Sequence, residues 1–313
     1  MIKVINNKIE LRLLFNNTVY KYYSTMKSVL NNVLCVRHAH PRDKHIQFFE
    51  KDHKYIVDLE PDTKYTSVTT WVHEHFEKFD PDKVIEKMMS GPNWKKGHKY
   101  WDMTPEQIKK QWNANKDSVS GAGTDMHFEI ECFNNSSKRF RGDYTNADLV
   151  QLYIANEGEK LQNKHLEWQY FINFVKDHLD LKPYRTEWVV FNEDIKISGS
   201  IDMVYENPDG TLSIYDWKRS KGISRINTFN KFAVTPCICH LPDSNFWHYA
   251  LQLNIYKYIL ETKYNKTVRD LYLVRLHPDA EEKNYELIQL PILTTEINDL
   301  VQERNKKLYS ENT

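Results

Sequence analysis

Two aspartates and one lysine in the second half of the chain have the residue types of a site that holds a metal ion beside a phosphate. Asp216 and Lys218 flank Trp217 at the end of an apolar run, and Asp202 lies fourteen residues earlier. Successive side chains of a strand point to opposite faces, so Asp216 and Lys218 share one face. Carboxylate oxygens suit hard divalent cations such as Mg²⁺. Lys218 would then point towards whatever the cation holds.

A predicted β-hairpin brings the two aspartates together. Residues 195–206 and 211–218 are both predicted to be strands, and the sequence NPDG at 207–210 is a strong turn signal between them. Neighbouring carboxylates repel each other unless a positive charge lies between them, which favours a bound cation. The tripeptide Asp-X-Lys is common as a surface ion pair, so this interpretation depends on the motifs around it.

Five short motifs follow one another along the chain. They are Gly123-x-x-x-His127, Glu187 within a strand-like run, Gly199-x-x-Asp202, Asp216-x-Lys218 and Gln252-x-x-x-Tyr256. This order resembles the PD-(D/E)XK nuclease superfamily, and within it the branch of RecB and the mitochondrial genome maintenance exonucleases. The resemblance covers about residues 67–278. The segment Ser67-Val68-Thr69-Thr70 and the sequence DWKRSK at 216–221 are also similar to nuclease-like proteins of large DNA viruses, which is a hint about the source.

The resemblance implies a role for each motif residue. Asp202 and Asp216 would bind one or two Mg²⁺ or Mn²⁺ ions, and His127, Glu187 and the backbone carbonyl of Trp217 would be further ligands. Lys218 would stabilise developing charge or deprotonate the attacking water, and we favour stabilisation because the metal already activates the water. The alternatives are an ordinary helix histidine at position 127, one of 13 in the chain, and a solvent-facing strand residue at position 187.

Two further groups of residues are predicted to contact the substrate. Gln252 and Tyr256 share a helix face, and in the resembling family that face touches substrate phosphate; the alternative is a buried tyrosine under the sheet. Ser67, Thr69 and Thr70 begin a helix predicted to run to about residue 79. Ser67 is either simply its N-cap or part of a phosphate site at the helix N-terminus.

The charge of the chain is balanced overall and uneven locally. With 43 basic and 43 acidic residues and a pI of about 7.2, the chain does not coat nucleic acid by bulk charge. Residues 217–242 contain no acid, and the bases in this stretch are Lys218, Arg219, Lys221, Arg225 and Lys231. Charge of one sign next to a metal site suits a phosphate backbone, so Arg219 and Lys221 are predicted to bind substrate. A solvated loop is the alternative for Arg225 and Lys231.

Aromatic and cysteine residues suggest fewer functions. Trp94, Trp101 and Trp112 lie among five lysines and predict either a stacking surface for unpaired bases or part of the core. The cysteines are Cys35, Cys132, Cys237 and Cys239. Four cysteines do not make a disulfide framework in a chain of this length. Relatives with an iron–sulfur cluster use one cysteine upstream and three close together downstream, so we expect no cluster here. The sequence CICH at 237–240 lacks the usual spacing of a zinc site.

The elements that must position these residues predict a mixed α/β fold. We expect a restriction-endonuclease-like core with a central mixed sheet flanked by helices, and a helical N-terminal elaboration. Residues 1–40 form a poorly determined extension, and residues 41–313 form the nuclease domain, helical over about 67–180 with its catalytic sheet core at about 184–290. Two helices are predicted within 105–134, meeting near Gly121 and Gly123. The stretch 11–41 has no acid, so it is either a transit peptide or an extension upstream of a start at Met26.

By this resemblance the chain is a metal-dependent nuclease that hydrolyses phosphodiester bonds in DNA, a single-strand-preferring exonuclease of replication, repair or recombination. The alternatives are a non-catalytic nucleic-acid-binding protein on the same fold, or a ribonuclease or structure-specific endonuclease. Inactive members usually lose an acid or the lysine, and all three residues are present here. The mean hydropathy of −0.69 and the lack of a long apolar run predict a soluble intracellular protein. The expected compartment is a host cytoplasm or viral factory if the source is viral, with the mitochondrion as an alternative.

Overall fold

The computed structural model describes residues 4–5, 8–9, 32–49, 52, 54–136, 142–155 and 165–311. The helices are α1 (Asn32–Arg37), α2 (Val68–Glu74), α3 (Pro81–Met89), α4 (Pro105–Asn134), α5 (Asn146–Ala155), α6 (Leu166–Asp177), α7 (Asn245–Lys263) and α8 (Thr294–Glu311). The strands are β1 (Val4–Ile5), β2 (Lys8–Ile9), β3 (Ile46–Phe49), β4 (Lys54–Val57), β5 (Thr66–Ser67), β6 (Lys182–Asn192), β7 (Ile197–Glu206), β8 (Leu212–Lys218), β9 (Val268–Arg275) and β10 (Glu286–Gln289). Most of the predicted N-terminal extension, residues 10–31, lies outside the described residues.

A six-stranded mixed sheet forms the centre of the fold, in the order β10-β9-β8-β7-β5, with β6 pairing β7. Strand β7 has β6 along one whole edge. Its other edge pairs with β5 at Ile197 and Ser198 and with β8 from Met203 to Glu206. Residues 199–202 of this edge therefore lie in a gap between β5 and β8. The predicted α/β class, with a central mixed sheet flanked by helices, is confirmed.

Two hydrophobic clusters pack on the sheet and hold its strands in register. The first joins α2, α7 and α8 to residues such as Ile201 and Ile214. The second joins α4 and α6 to residues such as Met203, Tyr215 and Trp217. Ile214 and Tyr215 are neighbours that enter different clusters, as the alternation of a strand requires. Asp216 and Lys218 therefore lie on the face of β8 opposite to Trp217.

Local capping and turn contacts are present at several element ends. Asp80 caps α3 by accepting hydrogen bonds from two backbone amides, and Thr104 forms a capping box with Gln107 at the start of α4. The turn between β7 and β8 has Gly210 at φ 79°, a left-handed conformation that glycine adopts without steric cost. These local contacts set where each element begins, independently of the packing around it.

Two predicted helix boundaries are wrong. Residues 105–134 form one helix of 30 residues, not two meeting near Gly121 and Gly123. Glycine inside a helix costs only about 1 kcal/mol, and burial of Ile108 near one end and Ile130 near the other offsets that cost. Helix α2 ends at Glu74, not near residue 79. The carbonyl of His75 beyond it accepts a hydrogen bond from the amide of Val234 instead of continuing the helix.

The described part of the N-terminal region packs against the sheet. Leu34 of α1 is fully buried, and the guanidinium of Arg185 in β6 donates to the carbonyl of His38 at 2.9 Å. These contacts join residues 32–38 to the central sheet, although the predicted extension reaches to residue 40. Among the described residues, no helix has the length and apolar character needed to cross a membrane.

Candidate active site

The end of β8 carries a buried aspartate paired with a lysine. Lys218 Nζ lies 2.6 Å from Asp216 Oδ2, and the side chain of Asp216 is only 4% exposed. The same ammonium lies 4.7 Å from the centre of the Tyr249 ring. Burial alone would lower the pKa of Lys218, but the charges of Asp216 and Asp202 outweigh it and raise this pKa above its ordinary value. In the metal-free site Lys218 is therefore held protonated beside Asp216.

The peptide unit of Trp217 connects the acids to a helix on the other side of the sheet. Its amide donates to Asp202 Oδ2 at 3.1 Å, and its carbonyl accepts from His127 Nε2 at 2.8 Å. The pair Met203–Tyr215 is the last regular pair of β7 and β8, so Asp202 and Asp216 lie opposite each other beyond it, as the predicted hairpin requires. Burial, and then the charge of Asp216, raise the pKa of Asp202 to about 7.

His127 projects from α4 towards the same acids. Its Nδ1 lies 3.5 Å from Asp202 Oδ2 and 3.9 Å from Glu187 Oε1. Burial would lower the pKa of His127, but the charge of Asp202 and the interactions with Glu187 exceed that effect and raise it to about 9. The site therefore concentrates negative charge strongly enough to favour a cation at its centre.

Glu187 sits where the alternation of β6 and β7 breaks. Trp188 pairs with Ile201 and Thr186 with Met203, so Glu187 lies opposite Asp202. Trp188 and Ile201 belong to the first cluster and Met203 to the second, although residues two apart in a regular strand share a face. Glu187 has φ 44°, a left-handed backbone that is costly for a residue with a Cβ. At this kink, where Glu187 lies opposite Asp202, the face of the strand pair that packs on the first cluster changes to the other side.

The donors at this point suit a divalent cation. His127, Glu187 and Asp202 each offer a ligand atom, and these atoms all lie within 4.8 Å of one another. The two carboxylates suit Mg²⁺ or Mn²⁺, whereas imidazole is the more usual ligand of metals such as Zn²⁺ or Fe²⁺. The Trp217 carbonyl accepts a hydrogen bond from His127 Nε2, on the opposite side of the ring from the Nδ1 that faces the acids. Asp216 lies beside this group of three, paired with Lys218.

Sequence comparison agrees with this geometry. A sequence profile of the PD-(D/E)XK nuclease superfamily matches residues 133–311, more than half of the chain. The chain belongs to the PD-(D/E)XK nuclease superfamily. The matched region contains Glu187, Asp202, Asp216 and Lys218, whereas His127 lies before it. No curated protein sequence matches the chain. Membership of the superfamily implies a nuclease-type hydrolase that acts on nucleic acid, and its members typically use divalent metals.

Helix α7 packs against the sheet beside the candidate site. Tyr256 is 3% exposed, and its hydroxyl is hydrogen-bonded to Gln252. A Cβ on Gly199 would lie 2.8 Å from Tyr256 Cε1 and 2.9 Å from its hydroxyl, so the glycine of the G-x-x-D motif makes room for this ring. Tyr256 is thus a buried contact of β7, and the pKa of its hydroxyl is raised well above the ordinary value by burial. The contacts of Gln252 and Tyr256 with substrate remain predictions.

The segment 67–70 borders the gap in the sheet. Ser67 pairs with Ser198 in the register of β5 and β7, next to Gly199. Its hydroxyl accepts from the amide of Thr70 at 3.1 Å, which confirms its role as N-cap of α2. The side chains of Thr69 and Thr70 are exposed beside the gap. Contact of these hydroxyl groups with phosphate remains a prediction.

The acid-free stretch after Trp217 is neutralised by acids from other segments. Arg219 Nε lies 2.5 Å from Glu167 Oε1, and Lys221 Nζ lies 3.1 Å from Asp279 Oδ2. Lys231 is paired with Glu77 at 2.6 Å. The guanidinium of Arg225 lies 4.1 Å from the centre of the Phe246 ring. The predicted substrate contacts of Arg219 and Lys221 therefore compete with existing ion pairs.

Three side chains near the acids were missed by sequence reasoning. Tyr249 lies three residues before Gln252 on one helix face, and this spacing is a signal that identifies it. Ser200 donates to Glu187 Oε2 at 3.0 Å. Burial, and then the charges of Glu187 and Asp202, raise the pKa of Tyr55 on β4, so its hydroxyl lies within electrostatic reach of both acids. Nothing in the sequence around Tyr55 indicates this long-range contact.

The cysteines form no disulfide, and the segment that contains Cys237 and His240 faces acids of α8. All four are free, and Cys237 Sγ lies 3.7 Å from Glu303 Oε2. His240 Nε2 faces Glu296 at 3.3 Å. Within the described residues, the group formed by His127, Glu187 and Asp202 is the one set of three potential ligands close enough to share an ion.

Proposed function

We propose that this protein is a Mg²⁺- or Mn²⁺-dependent deoxyribonuclease that hydrolyses phosphodiester bonds, with a preference for single-stranded DNA ends. One observation carries the proposal: the kink at Glu187 and the hairpin of β7 and β8 bring two acids and a histidine within reach of one cation, beside the Asp216–Lys218 pair. Exonucleolytic action in replication, repair or recombination is supported by the resemblance to the RecB branch. The corresponding compartment is a viral factory or host cytoplasm for a viral source, or a mitochondrion.

The residues of the site would have separate roles in phosphate hydrolysis, namely metal binding and charge stabilisation. His127, Glu187 and Asp202 would hold the cation, with Asp216 and the Trp217 carbonyl next to them. The bound cation supplies positive charge at the phosphate and lowers the pKa of a nearby water. The ammonium of Lys218 would stabilise the negative charge that develops on the phosphate oxygens.

Neighbouring side chains restrict where Lys218 can point. Its ammonium is held between the Asp216 carboxylate and the face of the Tyr249 ring. A lysine side chain has many rotamers, and fixing it before the substrate arrives reduces the entropy lost in the reaction. The hydroxyl groups of Thr69 and Thr70, exposed at the margin of the gap, would hold the next phosphate.

A cleavage assay tests this proposal. Purified wild type, Asp216→Ala and Lys218→Ala are incubated with end-labelled single-stranded, double-stranded and circular DNA and with single-stranded RNA, in Mg²⁺, in Mn²⁺ and in chelator. Lys307→Ala, which removes an exposed lysine of α8, is the matched control. Linear single-stranded DNA should be shortened only with metal. Both site variants should be inactive and Lys307→Ala should be active.

The variants also separate the roles of the two residues. Asp216→Ala should weaken metal binding measured by titration calorimetry, because it removes a carboxylate from the cation's surroundings. Lys218→Ala should keep most of its strand binding in chelator. Cutting of circles would identify an endonuclease, and cutting of RNA alone would identify a ribonuclease. Binding of DNA without cleavage in either metal would contradict the proposal and favour the non-catalytic binding protein.

A further inference from the structure

A second surface of the protein is built from aromatic rings at the N-terminal end of α4. Its members, which we call the aromatic platform, are Phe79, Trp94, Tyr100, Trp101 and Trp112. Ring centres lie 5.8 Å apart for Trp94 and Trp101, 6.1 Å for Tyr100 and Trp112, and 5.9 Å for Phe79 and Trp112. The indole nitrogen of Trp112 donates to the Tyr100 hydroxyl at 3.0 Å. The rings therefore form two neighbouring sets, Trp94 with Trp101, and Phe79 with Tyr100 and Trp112.

The aromatic platform is not part of the hydrophobic core. None of its rings belongs to the three buried clusters found among the described residues. Phe79 is 69% exposed and Trp101 36% exposed, while Trp94 and Trp112 are half-buried. An exposed group of large aromatic rings marks an interaction site more often than a monomer surface. The sequence left stacking and core packing open for the three tryptophans, and the structure disfavours the core.

Positive charge surrounds these rings. Lys95, Lys96, Lys99 and Lys110 are exposed, and in the part of the chain that the structure describes none of them has a carboxylate within ion-pair distance. Lys109 is paired with Asp82. The segment 94–112 contains five lysines and only two acids, Asp102 and Glu106. This charge contrasts with the stretch after Trp217, where acids from other segments neutralise the basic residues.

We propose that the aromatic platform binds unpaired bases of a single nucleic-acid strand whose end lies in the catalytic centre. Aromatic faces stack on any base, and unpaired lysines beside them attract the phosphates between the bases. The inference rests on the proposed function, because it assigns a second contact to the same substrate. It places the strand along α4, which carries both Trp112 and His127.

The length of α4 sets how long that strand must be. Trp112 and His127 are fifteen residues apart, which corresponds to about 22 Å along a helix that rises 1.5 Å per residue. A stacked strand advances about 3.4 Å per nucleotide. About six or seven nucleotides therefore separate the two contacts. A stacked strand of five nucleotides bound at the catalytic centre spans about 17 Å, which is too short to reach the aromatic platform.

Cleavage kinetics and binding together test the inference. Wild type, Trp101→Ala, Trp101→Phe and the triple variant Lys95→Ala, Lys96→Ala, Lys99→Ala are compared on deoxythymidylate strands of 5 and 20 nucleotides in metal. Fluorescence anisotropy of the 20-mer is followed in chelator. Tyr309→Ala is the control for loss of an exposed aromatic ring, since Tyr309 is 76% exposed on α8.

Trp101→Ala should raise KM for the 20-mer and its Kd at least fivefold, the lower end for stacking on one ring. Its kcat, and its kcat/KM for the 5-mer, should equal those of wild type. Trp101→Phe should restore most of the loss. The triple lysine variant should reduce the slope of log Kd against log salt by about 2, since each phosphate contact contributes about 0.7.

Several results would overturn the inference while leaving the proposed function intact. One is that Trp101→Ala and the triple variant cleave the 20-mer with the same KM and kcat as wild type. Another is an equal loss on the 5-mer and the 20-mer, which would indicate a disturbed fold. If the wild type cleaves nothing, the proposed function fails, and anisotropy in chelator still decides on the aromatic platform. Unchanged anisotropy in both variants would then point to a protein partner for this surface.

Discussion

The left-handed backbone at Glu187 predicts that glycine there stabilises the fold while it removes activity. A residue with a Cβ costs about 1–2 kcal/mol in this conformation, and Glu187 has φ 44°. Glycine avoids that cost, but it loses about 0.5–1 kcal/mol through its greater freedom in the unfolded chain. Glu187→Gly should therefore be about 0.5–1 kcal/mol more stable than Glu187→Ala. Both variants lack the carboxylate, so the comparison isolates the backbone.

The neighbouring residue in the same strand is the matched control. Thr186 pairs regularly with Met203 and is not among the residues with positive φ. Here Thr186→Gly should be less stable than Thr186→Ala by about 0.5–1 kcal/mol, since glycine gains nothing from an ordinary strand conformation. The two positions thus predict differences of opposite sign. Urea unfolding in chelator, followed by tryptophan fluorescence, measures all four variants.

With metal added, wild type should become more stable than Glu187→Gly and Glu187→Ala. A cation that binds only the folded protein stabilises it by about 2.7 kcal/mol at a concentration of 100 Kd. Wild type should gain this stabilisation in Mg²⁺, whereas Glu187→Gly and Glu187→Ala should gain much less and cleave poorly. If Glu187→Gly proved less stable than Glu187→Ala in chelator, the left-handed kink would be refuted. Equal stabilisation of wild type and both variants by metal would refute the ligand role of Glu187.

Two further predictions concern packing and pH. Gly199→Ala places a Cβ 2.8 Å from Tyr256 Cε1 and should lower the free energy of unfolding in urea by about 1–3 kcal/mol. This loss should be smaller in a Tyr256→Leu background. An unfolding midpoint of Gly199→Ala equal to that of wild type would contradict the contact. Burial lowers the pKa of His75 to about 4 from its ordinary 6.5, so its contribution to stability is complete above about pH 6.5 and is lost as the pH falls towards 4. We expect a loss of about 3 kcal/mol over this range, and His75→Gln should flatten the unfolding profile; an identical pH dependence in this variant would disprove the assignment.

The sequence predicts those parts of the site that depend on local signals. Alternating apolar residues and the NPDG turn are enough to pair β7 with β8, and that pairing alone brings Asp202 opposite Asp216. The side chain of Lys218 follows from the two-residue period of the strand. Helix caps at Asp80 and Thr104 are likewise encoded within four residues of each helix start.

Features that depend on distant segments could not be predicted. The acids that pair with Arg219 and Lys231 lie 52 and 154 residues away in sequence, so the acid-free stretch looked more basic than it is. The kink at Glu187 has no local sequence signal, because glutamate is not a residue that favours φ above zero. Glycines at positions 121 and 123 suggested a break in α4, but packing at both ends of that helix overrides a local preference of about 1 kcal/mol each.

Trp217 links the chemistry of the site to the interior of the protein. Its side chain packs edge-on against Phe171 and Phe174, at 5.4 and 5.5 Å between ring centres, while its peptide unit holds Asp202 and His127. Local opening of a site requires that its backbone bonds break without disturbing the core. Here those bonds belong to a residue packed in the core, so we expect the candidate site to open only when the core unfolds. Heat should therefore inactivate the protein in a single step with global unfolding.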